Sequence, residues 1–322
     1  MDFNLTDDFT KAGIAFSQNE PIASKTTFKV GGNVKLFIEP KDSDQLTTAI
    51  NILQNHNSRF FVLGGGSNVV FPDSDYECPV ISTEKLNSVF IEDSTNTSAD
   101  KVLVTCLAGT PMATFVNFCT KNNLSGAEQF AGLPGSIGGA VFMNARCFDK
   151  SISDILYGTQ HLEYSNYVDN QGNQSCTTKI VNEIFNEQEW DYKKSPFQNQ
   201  NKIITQATFL LTKKSPQEHD EIEKLCKFYI NERVSKGHFK YPSAGSVFKN
   251  NHAFGKPSGK IIDEAGLKGY TIGGAQIAPF HGNFIININH AKAADIKQLV
   301  THTQKVVNEK YGFNLETEII FV

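Results

Sequence analysis

Phe60-Phe61-Val62-Leu63-Gly64-Gly65-Gly66-Ser67-Asn68 is the stretch on which the fold turns. Four apolar residues in a row make a short buried strand, and it runs without a spacer into three glycines. Consecutive glycines let the backbone come close to a ligand and turn its N–H groups outward, which suits an anion such as a pyrophosphate. Ser67 and Asn68 add side-chain donors. Upstream, Val34, Leu36 and Ile38 alternate as a half-buried strand that Pro40 interrupts. Asp42 is placed to cap a helix ending near Asn55, with Leu46, Ala49, Ile50 and Leu53 on one face. Strand, helix, strand and glycine loop together read as a β-α-β beginning. No G-x-G-x-x-G follows a strand, and Gly255 to Lys260 has three residues between its glycines and Ile261 where a P-loop needs Ser or Thr. Rossmann and P-loop folds are therefore not supported.

Further along, short strands are predicted around Val80-Ile81 and Val102 to Leu107, followed by a helix with Met112, Phe115, Val116 and Cys119 on a shared face. A second glycine-rich run, Gly132-Leu133-Pro134-Gly135-Ser136-Ile137-Gly138-Gly139-Ala140, comes next. Two separated glycine loops that could face each other across one ligand are harder to dismiss as turns than either alone. His161 to Val168 and Cys176 to Val181 read as a hairpin turning at Asp169 to Gly172, and a strand at Ile203 to Leu211 closes the region. Pro216 opens a helix with Ile222, Leu225, Cys226, Tyr229 and Ile230 as its buried stripe and Gly237 after its end. A strand at Phe284 to Asn289, a helix with Ile296, Leu299, Val300 and Val306 inward, and a strand from Leu315 to Val322 complete an α+β chain. The expected division is 1–82 and 83–214 as two cofactor-binding subdomains and 215–322 as a substrate domain.

Charge and composition exclude other classes. The 322 residues carry a net charge of -4 and no basic stripe, so nucleic acid is not an expected partner. Six scattered cysteines form no C-x-x-C pair, which suggests no metal site and reduced thiols in a cytoplasm. No secretory signal and no spanning apolar run is present, so a cytosolic protein without membrane attachment is expected.

The motifs resemble one family in fixed order. Ser24 to Gly32, Val62 to Asn68 and Gly132 to Ala140 resemble the FAD-binding half of the UDP-N-acetylenolpyruvoylglucosamine reductase (MurB) family, itself similar to the vanillyl-alcohol oxidase type of flavin fold. Tyr241 to Asn250, Gly259 to Asp263, Ile272 to Gln276 and Leu315 to Glu318 resemble its C-terminal half, so the likeness runs from about Ile22 to Phe321. The resemblance implies reduction of an enolpyruvyl UDP-sugar, with hydride from NADPH passing through FAD, by a monomer supplying peptidoglycan precursors.

By the same resemblance, FAD would lie on Gly64, Gly65, Gly66, Ser67 and Asn68 and on Gly132, Pro134, Gly135, Ser136, Gly138, Gly139 and Ala140. Ser246 would donate the proton, with Glu318 and Lys193 as its catalytic companions. Tyr192, Lys236, Lys249, Asn250 and Gln276 would bind substrate, and Arg146, outside the family pattern, is a further candidate to supply a guanidinium to it. Two departures stand out. Lys193 occupies a place where the family has arginine, keeping the charge but not the planar fork that grips a carboxylate, and Arg146 stands where the family has glycine. No lid insertion is evident between Tyr192 and Ser246, as in the family's shorter subtype. The competing readings are a flavin-dependent oxidase on the same fold, argued against by the lack of histidine in Gly64 to Asn68, and a non-catalytic flavin or UDP-sugar binder.

Overall fold

The computed structural model of the protein describes residues 3–93, 98, 100–168 and 174–322. Its contacts divide into two units. One comprises residues 1–18, 36–65 and 78–230; the other comprises 19–35, 66–77 and 231–322, so two early segments belong with the C-terminal part of the chain.

In the first unit, helix α1 (Phe3–Lys11) precedes α2 (Ser43–Asn55), which begins as the sequence predicts: Asp42 accepts a hydrogen bond from the Gln45 amide at 2.8 Å. Leu46, Ala49, Ile50 and Leu53 are its buried residues. Strand Asn33–Glu39 and strand Phe61–Leu63 flank strand Val80–Ser82, and both pair with it in parallel, Phe37 and Phe61 each opposite Val80. A parallel pair needs a crossover, and α2 provides it. The larger sheet is antiparallel: Leu156–Val168 pairs with Gln174–Ile184 and with Lys202–Lys213, which pairs in turn with Lys101–Leu107. The predicted hairpin is present, and its turn, Asp169 to Gly172, lies outside the described residues. On this sheet rest α3 (Met112–Lys121), burying the four predicted residues, and α4 (Ile137–Phe142).

Helix α5 (His219–Ser235) departs from its predicted stripe. Leu225 is 44% and Ile230 40% exposed, while Ile222 and Arg233 are buried and Cys226 and Tyr229 are half-buried. At 100° per residue, 222, 226, 229 and 233 fall within a narrow arc, and 225 and 230 fall to either side of it. The helix therefore lies on the surface.

The second unit is built around strands Ser243–Ser246, Phe284–Asn287, Ala275–Ile277 and Thr271–Ile272, in that order, with α6 (Ser258–Glu264) and α7 (Ala293–Tyr311). The inward face of α7 buries Ile296, Leu299, Val300, Thr303 and also Val307, and Val306 is half-buried against the same core. Two features differ from the predicted strands: 284–289 ends at Asn287, and of 315–322 only Ile320–Phe321 is a regular strand, parallel to Val69–Val70. Asp73 joins the early segment to α7 by accepting from the amides of Ala293 (2.7 Å) and Ala294 (3.0 Å). Among the described residues no helix is long and apolar enough to cross a membrane. The five described cysteines are free thiols, and the Cys176 side chain lies outside the described set.

Candidate active site

In the first unit the two glycine loops meet. The Gly65 N–H donates to Ser136 Oγ at 3.1 Å, and a β-carbon on Gly65 would lie 2.6 Å from Gly135 Cα and 2.7 Å from Ser136 N. Glycine is required there by the close approach of two backbones. Ser136 is also the N-cap of α4, but the first amides of that helix are already used: Ile137 N–H donates to Thr110 O (2.9 Å) and Gly138 N–H to Ala108 O (2.7 Å). The N–H groups of Gly135 (φ 107°) and Ser136 meet no acceptor among the described residues. The donors this loop leaves open to an anion thus lie just before the helix. Gly138 packs its bare Cα against Ala108, and the methyl of Ala140 belongs to the core, so these two shape the loop from behind. Gly132 (φ 74°) and the exposed Pro134 lie on the approach to the loop.

The far end of α4 carries the next group. The Phe142 carbonyl accepts from Ser195 Oγ (2.7 Å) and Gln198 Nε2 (2.9 Å), and Asn144 Nδ2 donates to Asp191 O (2.9 Å). These bonds dock the 191–198 turn on the helix whose other end holds the glycine loop. Within the turn Lys193 is buried, adopts a left-handed φ of 58°, and carries its ammonium 6.0 Å from the Tyr192 ring centroid. A lysine held in that backbone conformation costs of order 1 kcal/mol or more, the kind of strain that gathers at functional sites. Arg146 is exposed, and its guanidinium bonds within its own hairpin to Asp149 (3.3 Å) and Ser151 (3.4 Å). Lys193→Ala is therefore expected to raise KM for the substrate at least about tenfold and Arg146→Ala to change it little, on the worth of a charge-assisted hydrogen bond. Steady-state kinetics on both variants checks this, and the reverse order would give Arg146 the role.

The second unit holds the other predicted residues. Gly66 (φ 62°) sits against 25–27, where its carbonyl accepts from Thr27 N–H at 3.0 Å. The N–H groups of Gly66 and Ser67 meet no acceptor among the described residues. Thr27 Oγ1 is buried and likewise has no partner among them. Thr27 lies within the Ser24 to Gly32 motif, where nothing local marks it for a role; its adjacency to Gly66 exists only in the fold. Asn68 Nδ2 donates to the Glu318 carbonyl at 2.9 Å, and Ile320 N–H returns to Asn68 O at 3.0 Å.

Ser246 lies where a strand is deliberately irregular. Ser243 pairs with Ile286 but Ser246 pairs with Phe284, so one side of the ladder has an extra residue, and Gly245 takes φ 72° to accommodate it. A bulge of this kind changes which face the following side chain presents. Beyond it, Val247 O accepts from Glu318 N–H (2.7 Å) and Glu316 O accepts from Lys249 N–H (2.9 Å), so Ser246 and Glu318 lie on paired backbones. The Ser246 hydroxyl makes no hydrogen bond to any described residue. The remaining predicted contacts have structural ties of their own. Lys249 pairs with Glu316 at 2.5 Å, Asn250 Oδ1 accepts from Ser258 N–H at 2.9 Å, Gln276 Nε2 donates to Thr271 Oγ1 at 3.0 Å, and Lys236 pairs with Glu232 at 3.1 Å.

Next to Lys236 the field is positive. Burial, then repulsion from Arg233, His281 and Lys236, pushes the His238 imidazole down to about 4, and burial also lowers His281. Both histidines are thus neutral in the fold and take up protons more readily when unfolded. Stability they contribute is complete above the ordinary histidine value of 6.5 and is lost as the pH falls from there toward about 4. The melting temperature should decline across that interval, and His238→Phe, which keeps the ring packing on Phe284, should shallow the decline. An unchanged slope in thermal melts of the variant would remove His238 from the account.

Each unit by itself suits a phosphate-bearing ligand. In the first, a backbone cradle only glycine permits at Gly65 and the amides of Gly135 and Ser136, without acceptors among the described residues, are what such a ligand satisfies. In the second, the amides of Gly66 and Ser67 and the buried Thr27 hydroxyl, likewise without partners among the described residues, offer the same. No group of three or more His, Cys, Asp or Glu among the described residues could hold a metal. Residues 34–172 match the family model "FAD binding domain", which defines the chain as a flavoprotein. Residues 237–322 match "UDP-N-acetylenolpyruvoylglucosamine reductase, C-terminal domain". The chain is 43% identical over 311 residues to the UDP-N-acetylenolpyruvoylglucosamine reductase of Treponema denticola, covering 94% of this chain and 92% of that protein. It is 38% identical to that of Borreliella burgdorferi, covering 95% and 94%. The crystal structure of the MurB from Thermus caldophilus superposes with a TM-score of 0.70 at 27% identity, covering 96% of this chain and 98% of that one. The chain belongs to the UDP-N-acetylenolpyruvoylglucosamine reductase (MurB) family.

Proposed function

We propose that the chain reduces UDP-N-acetylglucosamine enolpyruvate to UDP-N-acetylmuramate with NADPH, a step of peptidoglycan precursor synthesis on which cell shape and division depend. The observation that carries the reading is the backbone pairing that sets Ser246, its hydroxyl uncommitted among the described residues, beside Glu318. Bound FAD supplies the hydride chemistry between nicotinamide and the enolpyruvyl carbon. Gly64 to Asn68 and the Gly132 to Ala140 run would hold it. The rest falls to side chains of the chain itself.

As hydride reaches one carbon, negative charge builds on its neighbour, next to the substrate carboxylate, and fixed positive or proton-donating groups lower that barrier. Lys193, docked on α4, would meet the carboxylate together with Tyr192. Ser246 would deliver the proton. A serine hydroxyl is a weak acid, so Glu318 would return a proton to it, with Lys249 and Asn250 holding the local charge. Lys236, Gln276 and Arg146 complete the proposed substrate contacts; the positive charges of Arg233 and Lys236, which add to the effect of burial in lowering His238, support a phosphate near Lys236. Sheets within 15–82, 89–213 and 243–287 support a division into subdomains 1–82 and 83–214 and a domain 215–322. The enzyme would act as a cytoplasmic monomer of the shorter subtype.

The test is anaerobic. NADPH should bleach the visible bands of the purified yellow protein, and the enolpyruvyl UDP-sugar should restore them. Bleaching without restoration, or oxygen uptake on a sugar alcohol with no nicotinamide requirement, would point instead to an oxidase.

A further inference from the structure

A buried asparagine has an amide donor and a carbonyl acceptor to satisfy, and leaving either unmet is costly. Asn283 is 4% exposed and spends both on the backbone of a single residue. Its Oδ1 accepts from Phe248 N–H at 2.9 Å, and its Nδ2 donates to Phe248 O at 2.8 Å. An adjoining strand would offer the same two bonds.

The need for such a stand-in follows from the bulge. Regular pairing with strand Phe284–Asn287 ends at Ser246 opposite Phe284, and the extra residue at Gly245 draws the chain off the ladder. Asn283 takes over there: its carbonyl accepts Val247 N–H at 2.9 Å and its side chain then holds Phe248. On the opposite edge Val247 O accepts from Glu318 N–H and Lys249 N–H donates to Glu316 O, which sets Phe248 opposite Thr317. Val247 to Lys249 is thus suspended between Asn283 and the segment that carries Glu318.

We infer that Asn283 is a positioning residue for proton delivery, setting the placement of Ser246 relative to Glu318 through the Val247–Phe248 backbone. This rests on the reading of Ser246 as proton donor. His281 supports the device from below, its Nδ1 accepting the Asn283 N–H at 3.2 Å, which needs the neutral ring that burial favours.

The experiment uses FAD-loaded Asn283→Ala and Asn283→Asp, the latter keeping the acceptor for Phe248 N–H and losing the donor for Phe248 O. Rapid mixing separates bleaching by NADPH from recovery with the enolpyruvyl UDP-sugar, in H2O and D2O. Bleaching should proceed at the wild-type rate. Recovery should slow about 10- to 100-fold in Asn283→Ala, the scale of a misplacement of order 1 Å, and less in Asn283→Asp, with a larger solvent isotope effect in both. Equal slowing of both phases, or none, overturns the inference. So does failure of both variants to yield folded yellow protein, since the residue would then be a folding determinant. Ser246→Ala run alongside separates the two readings. Wild-type recovery in that variant removes the proton-donor reading and this inference with it, whereas slow recovery there with fast recovery in the Asn283 variants overturns the inference alone.

Discussion

Ser246→Ala is expected to slow recovery of the flavin bands by the enolpyruvyl UDP-sugar about 10²- to 10⁴-fold, the usual worth of a positioned general acid. Bleaching by NADPH should be unaffected, because that transfer calls on no proton from Ser246. The confinement to one phase is what makes the result informative. The hydroxyl makes no hydrogen bond to any described residue, so its removal leaves no stranded partner and should cost little stability. A variant that melts with the wild type, stays yellow, and has lost only the second phase would fit the proposed role. Recovery at the wild-type rate would mean the proton comes from elsewhere.

Gly65→Ala should produce a colourless protein. Its new β-carbon would meet Gly135 Cα at 2.6 Å, Gly135 C at 2.7 Å and Ser136 N at 2.7 Å, all backbone atoms that cannot rotate aside. Overpacking of this kind costs about 1–3 kcal/mol. Here it would fall on the meeting point of the two loops whose amides are to receive the cofactor. If the strain is relieved by parting them, FAD affinity should drop about tenfold for each 1.4 kcal/mol. Circular dichroism should stay close to wild type, because the clashing atoms belong to loop residues, after the strand that ends at Leu63 and before the helix that begins at Ile137. Absorbance after gel filtration reads the outcome directly, and a full complement of FAD in the variant would show that the apposition does not matter to binding.

Legibility of the fold followed a pattern. Helix α2 was readable down to its cap, since Asp42 and the spacing of Leu46, Ala49, Ile50 and Leu53 act over a few residues. Helix α5 was misread at Leu225 and Ile230 because spacing tells which residues share a side of a helix and not how wide an arc its neighbours cover. The final segment misled in another way. Leu315 and Ile319 are buried, but bonds go out singly to Val247 and Lys249 before a regular strand begins at Ile320. As for the site, Ser246, Glu318 and Lys193 were named through family motifs; a serine between glycine and valine carries no chemical signal of its own.

By itself the sequence determined the local grammar of this protein: where strands and helices run and where glycines free the backbone, with the cofactor class legible only through motifs that resemble a known family. Tertiary structure decided what those pieces do to one another. Gly65 meets Ser136 across 71 positions, Asn68 meets Glu318 across 250, and Asn283 takes the place of a strand beside Phe248 across 35. Propensity and capping act within a turn or two of chain, whereas these contacts depend on sheet register and on how packed cores bring distant segments to within hydrogen-bond reach.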